Sequence, residues 1–248
     1  MIWKVIENPV LGCNSFLVGD EMSGQGVAID PLAQIGVDAY VLSAQDLGIQ
    51  IVDVLETHVH ADHVSAARAL ATELSVPYRI SRLAPAKFDF APLADGTHLK
   101  YGNVSIEVWE TPGHTPDSVA FILRDLARGE EPWAVLTGDS LFVGDVGRPD
   151  LAESGEEAIR KAASAQFESV KRLMTLPDWT EVWPAHYGSS PCGGIFMNRR
   201  SHSTIGYERR CNPFVQLSDR ETFVAETLRF LKPPPEEAAT IRVANLTA

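Results

Sequence analysis

Four times in this chain a short run of β-forming apolar residues breaks into a loop that opens on histidine or aspartate. Residues 51–55 run into Thr57-His58-Val59-His60-Ala61-Asp62-His63, and residues 104–109 into Thr111-Pro112-Gly113-His114. Residues 133–136 run into Thr137-Gly138-Asp139, and residues 181–183 into Pro184-Ala185-His186. Strands that deliver ligand-type side chains from their ends form a rigid scaffold presenting one site. The first loop leads into an Ala- and Leu-rich stretch reaching Leu74, which reads as a helix. Strand, polar loop, helix is therefore the local order, and the chain is of the α/β class.

The remaining pattern fits that order. Residues 3–6, 15–18 and 26–29 read as an opening meander of strands, broken by Gly19-Asp20 and Asp30-Pro31. Apolar spacing predicts a helix over 37–47 that stops at Gly48, and further helices over 155–173 and 219–231. Pro233-Pro234-Pro235 ends the last of these, and the residues beyond read as a short strand or a frayed end. At 248 residues with 45% hydrophobic content, one substantial core is expected, and a single domain is read over 1–248.

Composition removes several function classes. A net charge of −12 repels a polyphosphate backbone, so nucleic acid is not an expected partner. No stretch approaches the roughly 18–20 uninterrupted apolar residues of a membrane span, and Lys4 and Glu7 interrupt the first apolar stretch in a way that does not suit a signal peptide. Three cysteines, Cys13, Cys192 and Cys211, cannot all pair in a chain large enough to do without staples, which points to the reducing cytoplasm. Cys13 and Cys211 are expected as core residues.

In His58-x-His60-x-Asp62-His63, extended backbone turns His58 and His60 to one side, with Asp62 and His63 placed where the next helix begins. Two half-sites can form from these donors. Imidazole and carboxylate suit zinc, iron or manganese, and no neighbouring cysteine pair suggests a structural tetrathiolate. Any one of these histidines could be a solvated or capping residue; four such donors together indicate a catalytic metal. His114, Asp139 and His186 join them through their shared strand-end position.

The motifs His58-x-His60-x-Asp62-His63, Thr-Pro-Gly-His114-Thr-Pro, Thr-Gly-Asp139 and Pro-Ala-His186, in this order, resemble the metallo-β-lactamase superfamily on its glyoxalase II side. The resemblance implies a four-layer αβ/βα sandwich with metals along one edge of the paired sheets. Gly138-Asp139-Ser-Leu-Phe-Val-Gly-Asp-Val-Gly-Arg148-Pro-Asp150 is similar to the persulfide dioxygenases. So is His186-Tyr-Gly-Ser-Ser-Pro-Cys192-Gly-Gly followed by Ser203-Thr204-Ile205-Gly206-Tyr207-Glu208-Arg209-Arg210, a combination typical of the bacterial type fused to rhodanese domains. The basic and aromatic glutathione-binding pair of glyoxalase II has no counterpart in the stretch from Phe142 to Arg148.

By that resemblance His58, His114 and Asp139 would hold one Fe(II), with a thiol persulfide and O2 as substrates. His60, Asp62, His63 and His186 would then orient the ligands or complete a second site, as in a hydrolase with two Zn(II) bridged by Asp139. Asp62, Asp139 and Cys192 are the expected participants in chemistry, and Arg148, Tyr187 and Cys192 the expected substrate contacts. Arg148 could instead pair with Asp145 or Asp150, Cys192 could be a quiet buried thiol, and Tyr187 could be simply packed. Arg209 and Arg210 fit an anion-binding edge or a solvated face, and His98 and His202 read as structural or surface residues. A separate rhodanese is the partner that the resemblance suggests, and relatives often form dimers or tetramers, although the sequence carries no interface signal. A thioester or lactone hydrolase and a non-enzymatic sulfur carrier using Cys192 stay open beside the dioxygenase.

Overall fold

The computed structural model describes residues 1–152, 154–188 and 190–247. The first sheet runs β1 (Ile2–Asn8), β2 (Cys13–Gly19), β3 (Gln25–Ile29), β4 (Gln50–Leu55), β5 (Tyr78–Ser81) and β6 (Ala91–Leu93) in spatial order. Its first three strands are antiparallel, and β3 through β6 are parallel. The second sheet contains β7 (His98–Tyr101), β8 (Val104–Glu110), β9 (Val119–Asp125) and β10 (Ala134–Gly138) as an antiparallel series. A small ribbon of β11 (Leu141–Phe142) and β12 (Asp145–Val146) follows. Strand β13 (Glu181–Pro184) then adds parallel to β10, and β14 (Ser203–Thr204) adds antiparallel to β13.

Alternation along the strands builds three layers of core. On β2, Phe16 and Val18 join Phe121 and Leu123 of β9 between the sheets, while Leu17 turns to the other face. That outer face is covered by α1 (Val37–Asp46), α2 (Ala67–Leu74) and α6 (Ala238–Thr247), through Tyr40, Leu70 and Leu246 among others. On β9, Ala120 and Ile122 face α3 (Glu156–Leu173), α4 (Ile205–Cys211) and α5 (Arg220–Arg229). Helices, sheet, sheet, helices make the four-layer αβ/βα sandwich expected from the motifs. Each fully buried Phe or Leu contributes about 1.5–3 kcal/mol of transfer free energy. Among the described residues no helix is long and apolar enough to cross a membrane.

Two expectations need correction. The residues after the prolines form the helix α6, because Arg242 and Asn245 give that segment buried polar partners that its weak apolar pattern does not advertise. Asp62 and His63 lie in the loop ahead of α2, whose N-cap is Ala66, so the helix starts later than the Asp-His pair.

Candidate metal centre

Strands β8, β10 and β13 run in one direction across the second sheet and end at the same edge, where β4 of the first sheet also ends. Their loops bring His58, His114 and Asp139 together, fully buried, with one ligand atom of each within 4.8 Å of the others. His58 Nε2 lies 3.6 Å and His114 Nε2 3.4 Å from Asp139 Oδ2. Among the described residues none of these three atoms has a hydrogen-bond partner. Buried polar atoms are normally satisfied. Three that face one another are a donor set shaped for a cation.

The opposite ring nitrogens are already committed, which fixes the tautomers. His114 Nδ1 is 2.8 Å from the carbonyl oxygen of Arg148, an acceptor only, so Nδ1 carries the hydrogen and Nε2 presents its lone pair. Thr57 Oγ1 donates to Asp30 Oδ2 at 2.9 Å and is thereby left to accept from His58 Nδ1 at 2.9 Å. Asp30 also accepts the Thr57 N–H at 2.7 Å. The turn that delivers Asp139 has Gly138 at φ +53°, where a Cβ would sit 2.8 Å from that of Thr57. Only glycine lets β10 close on β4 there.

Burial holds the imidazoles of His58 and His114 below their ordinary range, in the neutral form that ligates metal. Burial acts against the charged form of Asp139 as well, yet His186 and His58 hold its carboxyl well below the usual carboxylate range. Two neutral imidazoles and one carboxylate on one face remain.

A second donor group lies beside the first. One ligand atom each of Cys13, Asp62, His63 and His186 falls within 4.8 Å of the others. His186 stands between two aspartates, its Nδ1 2.6 Å from Asp139 Oδ1 and its Nε2 2.7 Å from Asp62 Oδ2. Against the effect of burial, these carboxylates raise its pKa well above the ordinary value. Asp62 likewise outweighs burial at His63, whose pKa is pushed up to about 10. His60 packs between His58 and His63, with Nε2 3.3 Å from Asp30 Oδ1 and Nδ1 without a partner among the described residues; it belongs to neither donor group.

Residues 8–101 match the family described as the metallo-β-lactamase superfamily. The human protein "Persulfide dioxygenase ETHE1, mitochondrial" is 30% identical over 241 residues, covering 96% of this chain and 85% of that one. The chain belongs to the metallo-β-lactamase superfamily. Within it, the crystal structure of ETHE1 from Myxococcus xanthus superposes with a TM-score of 0.84 at 30% identity, over 99% of this chain and 98% of that one. The protein TTHA1623 in a di-iron-bound form aligns with a TM-score of 0.64 at 28% identity, over 86% of this chain and all of that one. This chain is an enzyme of the superfamily on the side of its persulfide dioxygenase relatives.

The superfamily site accounts for some expected residues and not others. Cys192 is fully buried, grouped with Asp139 and His186, and burial pushes its thiol well up so that it stays protonated. Arg148 takes the ion-pair alternative with Asp150, donating from Nε at 2.7 Å and Nη2 at 2.8 Å, and it also donates to the carbonyls of Lys232 and Pro191. Tyr187 is half-buried, its N–H bonded to Gly12 O at 2.8 Å. Arg209 caps the end of α3 through the carbonyls of Met174 and Leu176 and pairs with Asp178, which occupies the anion edge its sequence suggested. His98 is exposed on β7, and His202 is exposed with its ring stacked on Trp183 at 4.2 Å.

Cys211 is exposed at the end of α4 rather than in the core, because the inward place belongs to Asn212, which donates to Asp145 O and Glu208 Oε2. Cys13 is buried, as expected of a core residue, with Asp62, His63 and His186 beside its thiol. Sequence reasoning also missed the residues that brace the His58–His63 loop. Asp117 Oδ2 accepts the Val59 N–H at 2.7 Å, and Arg242 donates to Val59 O and to Asp117 Oδ1. Asn245 Nδ2 donates to the carbonyls of His60 and His63, both at 2.9 Å, while its Oδ1 accepts the Ser65 N–H.

Proposed function

We propose that the chain is an iron(II)-dependent persulfide dioxygenase, with His58, His114 and Asp139 as the ligands of a single ferrous ion. The observation that carries the reading is the convergence of His58 Nε2, His114 Nε2 and Asp139 Oδ2, buried and without hydrogen-bond partners among the described residues. Two imidazoles and one carboxylate on a face suit non-haem ferrous iron. The near-full-length relatives named persulfide dioxygenase and the di-iron-bound relative support the choice. Asp139 Oδ1 is taken by His186 Nδ1, leaving one carboxylate oxygen for a metal and favouring a mononuclear centre over a bridged pair.

The reaction is RSSH + O2 + H2O → RSH + SO3²⁻ + 2 H⁺. Held by His58, His114 and Asp139, ferrous iron would supply the redox capacity that lets a persulfide react with dioxygen. The chain supplies geometry and exclusion of water: the three ligands are fully buried, and their tautomers are set by Arg148 O and Thr57. Cys192 and Asp62 flank the centre, and in this reading Cys192 faces the terminal sulfur of the persulfide. A cavity of about 430 Å³ bounded in part by Arg148, Ser190, Pro191, Gly193 and Lys232 adjoins the Cys192 segment. Lys232 there suits a carboxylate of a low-molecular-weight thiol such as glutathione, with Tyr187 as a further contact, and Arg148, held by Asp150, would meet the substrate only by sharing that ion pair. A separate rhodanese would supply or consume the sulfane sulfur, and the protein would act in the cytoplasm as one domain, alone or as a homo-oligomer.

The test is oxygen uptake by anaerobically iron-loaded protein on addition of glutathione persulfide, with sulfite measured in the same vessel. Uptake matched one-to-one by sulfite is expected, and Asp139→Asn should abolish it. A fully metallated protein that consumes no oxygen but cleaves thioesters or lactones would overturn the reading in favour of a zinc hydrolase. Persulfidation of Cys192 that survives Asp139→Asn, without turnover by the parent protein, would mark a sulfur carrier.

A further inference from the structure

The buried face of α3 carries two polar side chains, Gln166 and Ser169, among Ala163, Phe167, Val170 and Leu173. Both reach the loops that deliver proposed iron ligands. Ser169 Oγ donates at 2.7 Å to the carbonyl of Pro112, two residues ahead of His114. Gln166 Nε2 donates to the carbonyl of Ser140, the residue after Asp139. A carbonyl oxygen only accepts, so the amide nitrogen must face Ser140 and Oε1 is turned away from it. There Oε1 meets Gly113, the residue before His114. A Cβ at Gly113, whose φ is +150°, would collide with Oε1, Cα and Cβ of Gln166, so glycine is required for the loop to reach the helix. One side chain therefore touches the chain neighbours of two ligands.

Packing alone does not fix the His114 loop against α3. A cavity of about 350 Å³ is bounded by Ala158, Ala162 and Ala165 of the helix and by Pro112, Gly113 and Pro116 of the loop. The contacts at Ser169 and Gln166 are what set the distance between loop and helix. Ser140 ties the two loops directly, its Oγ donating to Thr111 O at 3.0 Å and to Thr111 Oγ1 at 2.9 Å, while Gln166 holds the same residue by its carbonyl. Gln166 is not the most stable filling for this space. Its Oε1 is buried and has no hydrogen-bond partner among the described residues. A buried acceptor left without a partner costs stability that a leucine of similar size would not incur. What the amide contributes is direction: a bond to the peptide that follows Asp139.

We propose that Gln166 is a positioning residue of the iron site, holding the Asp139 and His114 loops at the separation that lets both ligands reach one ferrous ion. The inference rests on the iron reading and goes beyond it, because it assigns the spacing of two ligands to a residue outside the ligand set. Asp139 Oδ2 and His114 Nε2 stand 3.4 Å apart, and a constellation of this kind works only when its members are held to within about 0.5 Å. The third ligand is held separately, His58 through Thr57 and Asp30. Gln166 thus governs one edge of the ligand triangle and leaves the other corner to the first sheet.

Gln166→Leu tests this on the full chain, with Val170→Ala, a truncation on the same buried face of α3, beside it. Three quantities are read: the urea midpoint of the metal-free chain, iron(II) affinity by anaerobic chelator competition, and the electron paramagnetic resonance signal of the ferrous protein with nitric oxide, whose shape follows ligand geometry. In Gln166→Leu the lost bond to Ser140 O and the removal of an unpartnered oxygen offset each other, so the midpoint should stay near that of the parent. Its iron affinity should fall about 10- to 100-fold and its nitrosyl signal should broaden. Val170→Ala should do the reverse, lowering the midpoint and keeping the parent's affinity and signal. Should Gln166→Leu not fold, Gln166→Met is read in the same way. Parent-like affinity and signal in the Gln166 variant would overturn the proposal, as would an equal loss of iron in Val170→Ala. His114→Ala separates this from failure of the iron reading: if it holds iron as tightly as the parent, the iron site falls and the proposal with it, whereas iron lost in His114→Ala but kept in Gln166→Leu overturns the proposal alone.

Discussion

Asp145 sits in the ribbon after Asp139, away from the ligand cluster, and its carboxylate accepts the backbone N–H groups of Val146 and Phe196 at 2.8 and 2.9 Å. Burial pushes its pKa up to about 6 even though these donors oppose the rise. A carboxyl that binds its proton more tightly folded than unfolded adds stability where it is protonated, and that contribution is lost as pH rises from about 4 through 6. Its size is on the order of 2–3 kcal/mol. Asp145→Asn should therefore flatten the pH dependence of the urea midpoint between pH 4 and 6 relative to the parent; an unchanged slope would put the titration elsewhere. Asp139 behaves in the opposite sense, held ionised by its histidine neighbours, as the proposed iron site requires of it. Asp139→Asn keeps the shape but removes the charge, and should lower iron affinity at least about tenfold, read by anaerobic chelator competition.

At the scale of elements, the last helix decides whether the histidine loop is rigid. Asn245→Ala removes one side chain and strands three buried or part-buried backbone groups, the carbonyls of His60 and His63 and the Ser65 N–H. A loss of about 1–3 kcal/mol in denaturant unfolding is expected, together with a metal affinity weakened about 10- to 100-fold. This brace was not legible in the sequence. Strands β4, β8, β10 and β13 were, because apolar runs ending in ligand residues carry their own signal. Helix α6 was not, because it follows three prolines and docks through Arg242 and Asn245, whose partners lie more than a hundred residues away. The same reason hid the surroundings of Cys13, because His186 reaches it only when the two sheets meet. Where a residue's role is announced by its own neighbours in the chain, as at His58 within His58-x-His60-x-Asp62-His63, the sequence suffices; where it is set across the sandwich, as at Gly138 against Thr57, it does not.

For the whole molecule, three core layers and a buried ligand cluster act together. Phe121 lies fully buried between the sheets, and Phe121→Ala should cost about 3–5 kcal/mol by urea denaturation. Metal should matter on the same scale, because the folded chain gathers donors that the unfolded chain scatters. At free metal one hundred times its dissociation constant, each ion adds about 2.7 kcal/mol. Chelation should thus lower the melting temperature by several degrees, and re-addition of iron should restore it.

The brace on the histidine loop also sets an order of events in the cell. His60 leaves the ribosome 185 residues ahead of Asn245, the side chain that fastens its carbonyl. During synthesis the nascent chain therefore carries the histidines of that loop unfastened until the Asn245 segment has emerged and docked.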